Sequence, residues 1–303
     1  MQSISEIMER RPQTVRPDDS AYDVARTMHA EKNGCVVVVV EGKPVGVLTR
    51  RDMIREVVSQ EREPKETLVK DIMITPVVTI SNKATLARAN KMMKKRHLKQ
   101  MPVVDNDMLA GLLLHDHITY AIIDMLDDLN SRAERIDITV DEFHRISEQF
   151  YLLDGHLLDD PGKVSKYVSE VMNHNITIVP SDMNVLEASK IMGDLAIGCL
   201  IVRESGKPLG IVTEKDMVVR MLVTDKRPTS TKISEIMSKP LLTIPPEMEV
   251  YDLGVLRKKK GFTKFPVMDN GMLVGIVTQT DLLHASLDLV KFMHWKILEK
   301  WDI

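Results

Sequence analysis

The chain has 303 residues, 44% hydrophobic and 28% charged, with a formal net charge of −3 at pH 7. That length suits about two ordinary domains with real apolar cores, and the near-neutral charge excludes a global electrostatic drive toward nucleic acid or anionic membrane. No run approaches the 18 apolar residues of a membrane span, MQSISEIMERRP shows no secretory pattern, and two cysteines, Cys35 and Cys199, make no disulfide framework; a cytoplasmic protein with buried thiols is expected.

The first element is a short helix-like lead, ISEIM (4–8), followed by a brief strand in QTVRP. An amphipathic helix comes next, with Asp18, Asp19 and Ser20 as caps before Tyr22, Val24, Ala25 and Met28. The run CVVVVVEGKPVGVLTRRD (35–52) then reads as two strands joined by a tight turn. A second helix, DMIREVV, closes the unit. The order is β-α-β-β-α.

The same order recurs. An offset of 65 residues carries the lead to VKDIM and the hairpin to QMPVVDNDMLAGLLLHDH (100–117). An offset of 164 carries them to YVSEVM and CLIVRESGKPLGIVTEKD (199–216), and both offsets together to ISEIM (233–237) and KFPVMDNGMLVGIVTQTD (264–281). Four ungapped copies mean four units arranged as two pairs. A unit this small has a thin core and needs its neighbour. Between the pairs, 127–166 is acid-rich and reads as a helical connector with a loop; the tail 290–303, with Trp295 and Trp301, reads as an amphipathic helix.

Three copies end on Gly-h-h-Thr-x-x-Asp, where h is apolar: Gly46–Thr49–Asp52, Gly210–Thr213–Asp216 and Gly275–Thr278–Asp281. Thr with an acid three residues on is a capping box, which makes the motif a folding signal. The same helix start presents free N–H groups to phosphate, and a carboxylate there suits ribose hydroxyls. The glycine admits a close-lying backbone or ligand.

Four β-α-β-β-α units, each opening on an (I/V)M lead and most closing on this motif, resemble cystathionine-β-synthase (CBS) domains paired into two Bateman modules. The arrangement is similar to the regulatory γ subunit of AMP-activated protein kinase and to stand-alone microbial proteins. The implied fold is α/β, of the α+β type. Module 1 spans 1–126 (repeats 4–58 and 68–126), the connector 127–166, and module 2 167–289 (repeats 167–222 and 233–289). The resemblance implies binding of AMP, ADP or ATP as regulatory ligand, or alternatively S-adenosylmethionine. Asp52, Asp216 and Asp281 would hold ribose, and Thr49, Thr213 and Thr278 phosphate or ribose. Thr14, Val15, Ile178, Val179, Thr243 and Ile244 would flank adenine. Arg16, Arg51, Lys99, Lys215 and Lys264 would supply phosphate charge. A homodimer through stacked modules is the family-level expectation.

Repeat 2 departs from the pattern: Leu114 stands at the Thr position, His117 at the Asp position, and Asp116 comes one residue early. One residue on a helix is about 100° of rotation, so a defective ribose position is expected there. No Gly-rich phosphate loop with Lys-Ser/Thr, G-x-S-x-G or HExxH spacing is present. The expectation is a binding module with no catalytic residues, no metal and no membrane partner. A nucleic-acid-binding regulator, drawing on the basic stretch KMMKKRHLK (91–99), and an empty structural scaffold are the competing readings.

Overall fold

The computed structural model describes residues 4–30, 34–121, 123, 124, 166–286 and 288. The connector (apart from Lys166) and the tail, with both tryptophans, lie outside them.

Each repeat is built on a hairpin: Cys35–Val40 with Lys43–Thr49, Gln100–Asp105 with Met108–Leu114, Cys199–Glu204 with Lys207–Thr213, and Lys264–Asp269 with Met272–Thr278. Two-residue turns close all four, with φ positive at both positions: Glu41–Gly42, Asn106–Asp107, Ser205–Gly206 and Asn270–Gly271. That backbone matches strand twist and explains the Gly, Asn and Asp of the turns. A short first strand adds in parallel to three hairpins, as in Thr14↔Val37 and Ile178↔Ile201. In repeat 4 it shrinks to one bridge, Ile244↔Val267.

The first helices (Ala21–Ala30, Leu86–Arg96, Val185–Asp194 and Val250–Lys260) cover the sheets. Ser20, Thr85 and Asn184 cap three of them through their side-chain oxygens. The closing helix is not regular in repeats 1 and 3. After one α-turn it widens into π-turns at Ile54–Val58 and Val218–Leu222, each burying three apolar side chains.

The leads cross over. Ile4 belongs to the core of repeat 2, and Val69 and Ile72 to that of repeat 1. Val168 likewise serves repeat 4, and Ile233 and Ile236 serve repeat 3. Each such side chain, buried from water, contributes about 1.5–3 kcal/mol to its neighbour's core. Bridges Glu9↔Leu112, Val47↔Ile74, Asn173↔Ile276 and Ile211↔Ser238 fix the exchange. A module is therefore one reciprocal folding unit.

The two modules also share cores. One apolar cluster runs through repeats 1 and 3, from Val24, Met28 and Val57 to Val185, Met192 and Met221. The repeat 2 cluster takes in Leu283 and Tyr251 of repeat 4. Repeat 1 thus packs on repeat 3, and repeat 2 on repeat 4, within one chain. Among the described residues no helix is long and apolar enough to cross a membrane.

Candidate functional site

The three motif endings form the same local structure. Thr49 Oγ1 and its backbone N donate to Asp52 Oδ2 at 2.6 and 3.0 Å, and Asp52 N donates back to Thr49 Oγ1 at 3.3 Å. The corresponding distances are 2.6, 2.9 and 3.3 Å in the Thr213–Asp216 pair. Thr278 Oγ1 and N reach Asp281 at 2.7 and 2.8 Å. The capping box is real, and it engages one carboxylate oxygen. The other oxygen differs between repeats. Asp52 Oδ1 lies 3.4 Å from Arg55, whereas Asp216 Oδ1 accepts from Ser238 Oγ at 2.9 Å and lies 3.6 Å from Arg220. Burial pushes the Asp52 carboxyl up, against the Thr49 hydrogen bonds and Arg55, which pull it down.

The motif glycines have another occupant. A Cβ on Gly46 would lie 2.6 Å from Met73 Sδ; on Gly111, 2.5 Å from Met8 Sδ; on Gly275, 2.4 Å from Met172 Sδ. On Gly210 it would lie 2.6 Å from the Ser238 carbonyl and 3.0 Å from Met237 Sδ. The lead methionine and the motif glycine are one contact, made between the two repeats of a module.

Repeat 2 keeps the cap by other means. Leu114 N donates to His117 Nδ1 at 3.3 Å, so His117 takes the reach-back role of the missing aspartate. Burial holds its pKa below the ordinary imidazole value, which preserves the acceptor. Asp116 points elsewhere, to Arg257 of repeat 4.

The helix starts gather charge from all four repeats. Lys99 has its pKa lowered first by desolvation and then by repulsion from Lys264 and Arg51, against attraction from Glu214 and Asp281. Arg51 Nε pairs with Glu214 Oε1 at 2.9 Å. The space a Cβ on Gly198 would fill is bounded by Glu214 Oε1 at 3.2 Å and Lys264 Nζ at 3.4 Å. Arg50 faces Glu214 and Asp216, and its pKa is lowered by burial. His115, beside Lys99 and His284, is held down to about 4, chiefly by burial.

Three of the five expected phosphate cations, Arg51, Lys99 and Lys264, thus converge. Arg16 and Lys215 are exposed side chains outside this set. The first-strand residues divide by period 2. Thr14, Ile178 and Thr243 face outward. Val15, Val179 and Ile244 are core side chains, which leaves only their backbone for a ligand. Arg50, Glu214, His115 and His284 escaped sequence reasoning, because nothing in a local pattern announces a charge that matters only where four repeats meet. Three of the four, Arg50, His115 and Glu214, share the position directly after the motif Thr or its substitute, but only the fold shows that this position faces the other repeats. Among the described residues no three His, Cys, Asp or Glu side chains gather as a metal set. Neither thiol is activated: burial raises both, Cys199 to about 11.

The CBS domain model matches residues 4–59, 69–124, 168–222 and 233–288. The CBS domain-containing protein CBSCBSPB2 of Arabidopsis thaliana is 23% identical over 280 residues, 92% of this chain and 52% of that protein. An uncharacterized Methanopyrus kandleri protein is 34% identical over 125 residues, 41% of this chain and 64% of its own length. The chain spans about half the length of the Arabidopsis relatives it matches. A solved Methanocaldococcus jannaschii structure, named a candidate archaeal homologue of g-AMPK, superposes with TM-score 0.70 at 17% identity, covering 93% of this chain and 99% of that one. At that identity the likeness is one of fold.

Proposed function

Because the chain belongs to the CBS domain family, we propose that it is a non-catalytic regulatory protein that takes adenine nucleotides into the clefts between paired repeats. The observation that carries this reading is the convergence of Arg51, Lys99 and Lys264, from three repeats, beside Asp281 and Glu214. Lys99, its proton affinity lowered first by burial and then by the neighbouring Lys264 and Arg51, would gain from a bound anion. Glu214 neutralises part of that charge when the site is empty, and phosphate would compete with it for Arg51.

The Thr–Asp boxes border the same region. Each carboxylate spends one oxygen on its cap; the other would meet ribose hydroxyls, in competition with Ser238 at Asp216 and beside Arg55 at Asp52. Outward-facing Thr14, Ile178 and Thr243 stand at the strand edge where adenine would lie. A bound nucleotide touches both repeats of a module and, through its phosphates, the opposite module. It therefore changes the output by its differential affinity for two module arrangements.

Calorimetric titration and thermal melts with AMP, ADP, ATP and S-adenosylmethionine test this. A ligand at 100 times its dissociation constant adds about 2.7 kcal/mol of stability. Lys99→Ala should weaken the phosphorylated ligands and leave adenosine unaffected. Absence of binding by all four at millimolar concentration would overturn the reading.

A further inference from the structure

The first helices carry, at one equivalent position, Met28, Met93, Met192 and Arg257. The three methionines are core side chains, and Arg257 in the same place is 0% exposed. Its guanidinium reaches out of repeat 4 into repeat 2, where Nη2 donates to Asp116. It also lies over the Tyr120 ring, 5.9 Å from the centroid. Nε and Nη1 have no hydrogen-bond partner among the described residues, so Asp116 is the carboxylate that neutralises this buried charge. Around the pair repeats 4 and 2 approach closely. Gly254 has no Cβ, and Ile123 of repeat 2 stands 2.6 Å from where one would be. Lys258 pairs with Asp124 at the rim.

Asp116 has counterparts in the other repeats: Arg51, Lys215 and Thr280. Repeat 4 docked on repeat 1 would press Arg257 against Arg51, and on repeat 3 against Lys215. On a second copy of repeat 4 it would meet an uncharged hydroxyl. A buried charge without its counter-ion is strongly unfavourable, and a like charge is worse. Only repeat 2 offers a carboxylate.

We propose that Arg257 and Asp116 form a pairing code: a cross-module ion pair, with a fully buried arginine and a partly buried aspartate, that admits repeat 2, and no other repeat, as the docking partner of repeat 4. With repeat 4 so placed, repeat 1 falls on repeat 3, where Arg51–Glu214 and Lys65–Asp225 are also opposite charges. The code accounts for both irregularities at once. Repeat 4 gives up its core methionine, and repeat 2 carries its acid one residue early because that acid serves the opposite module. The proposal does not depend on which ligand binds.

The test uses a reporter away from the pair. Ser59 Oγ of repeat 1 and Ser189 Oγ of repeat 3 are 3.2 Å apart, so Ser59→Cys with Ser189→Cys gives a thiol pair that copper–phenanthroline oxidation links when repeat 1 sits on repeat 3. In that background Asp116→Lys should slow intrachain cross-linking by at least about tenfold, since like-charge apposition costs several kcal/mol. Asp116→Lys combined with Arg257→Glu restores an opposite pair and should recover the background rate. Far-UV circular dichroism establishes the folded fraction; if Asp116→Lys alone does not fold, the charge-swapped protein decides. Cross-linking by Asp116→Lys at the background rate, or no recovery in the swap, overturns the proposal.

Discussion

Met73 and Gly46 occupy one space: the methionine sulfur stands 2.6 Å from where a Cβ on the glycine would be, with the Ile74 carbonyl at 3.3 Å. The contact joins the lead of repeat 2 to the hairpin of repeat 1. Gly46→Ala should therefore destabilise by about 1–3 kcal/mol through overpacking. Part of that loss should return in the Met73→Ala background, giving a coupling of more than about 0.5 kcal/mol in a double-mutant cycle by urea denaturation. Gly210 is different, because its Cβ would meet the Ser238 backbone carbonyl at 2.6 Å. Gly210→Ala should cost more, and trimming Met237 should not rescue it.

Ser238 distinguishes two otherwise equivalent carboxylates. Its hydroxyl holds Asp216 Oδ1 at 2.9 Å, while the matching position in the repeat 2 lead is Ile74. A ribose at Asp216 would have to displace that bond. Ser238→Ala should lower ligand-free stability by about 1 kcal/mol and raise nucleotide affinity at this cleft. Asp216→Ala should lose about tenfold in affinity and also about 1 kcal/mol of helix capping. Calorimetry on the two variants separates cap from clamp: a stability loss with unchanged affinity in Asp216→Ala would make the aspartate a cap alone.

The repeat 2 ending is capped without a carboxylate, since His117 Nδ1 accepts from Leu114 N at 3.3 Å. Leu114→Thr with His117→Asp rebuilds the full box. The expected gain is about 0.5–1 kcal/mol of stability. Under the nucleotide reading, one further binding position should also appear in the calorimetric stoichiometry.

The repeat arithmetic, the hairpins with their turns, and the three Thr–Asp pairs were legible in the sequence because each is local: periodicity, turn chemistry and a three-residue spacing carry them. The crossing of the leads was not. ISEIM reads as a helix turn wherever its isoleucines are buried, and nothing in it says that Ile4 belongs to repeat 2. The motif glycine reads as room for a close-lying backbone or ligand; the partner lead fills it with backbone, such as the Ser238 carbonyl at Gly210, and with a methionine side chain that the pattern does not announce. Strand period separates Thr14 from Val15 only once the core side is known. Arg257 opens a run of basic residues, RKKK (257–260), that carries no local mark of burial. Its burial depends on a helix from the other module, which no window of sequence contains.

His115 should make the fold sensitive to mild acid. Its imidazole is buried beside Lys99 and His284 and is held down to about 4, against an ordinary value of 6.5. Between these two values the unfolded chain binds a proton that the folded protein refuses, so stability rises with pH across that window. The contribution is fully present above 6.5 and is lost as pH falls toward 4. His117, also lowered by burial, acts in the same direction, and protonating it removes the acceptor of the Leu114 cap. From pH 7 to pH 5 the stability lost through His115 alone is on the order of 2 kcal/mol. Urea denaturation at pH 5, 6 and 7 should show this slope, and His115→Gln should reduce it to the part due to His117 while leaving stability at pH 7 nearly unchanged. An equal slope in the variant would place the titrating group elsewhere.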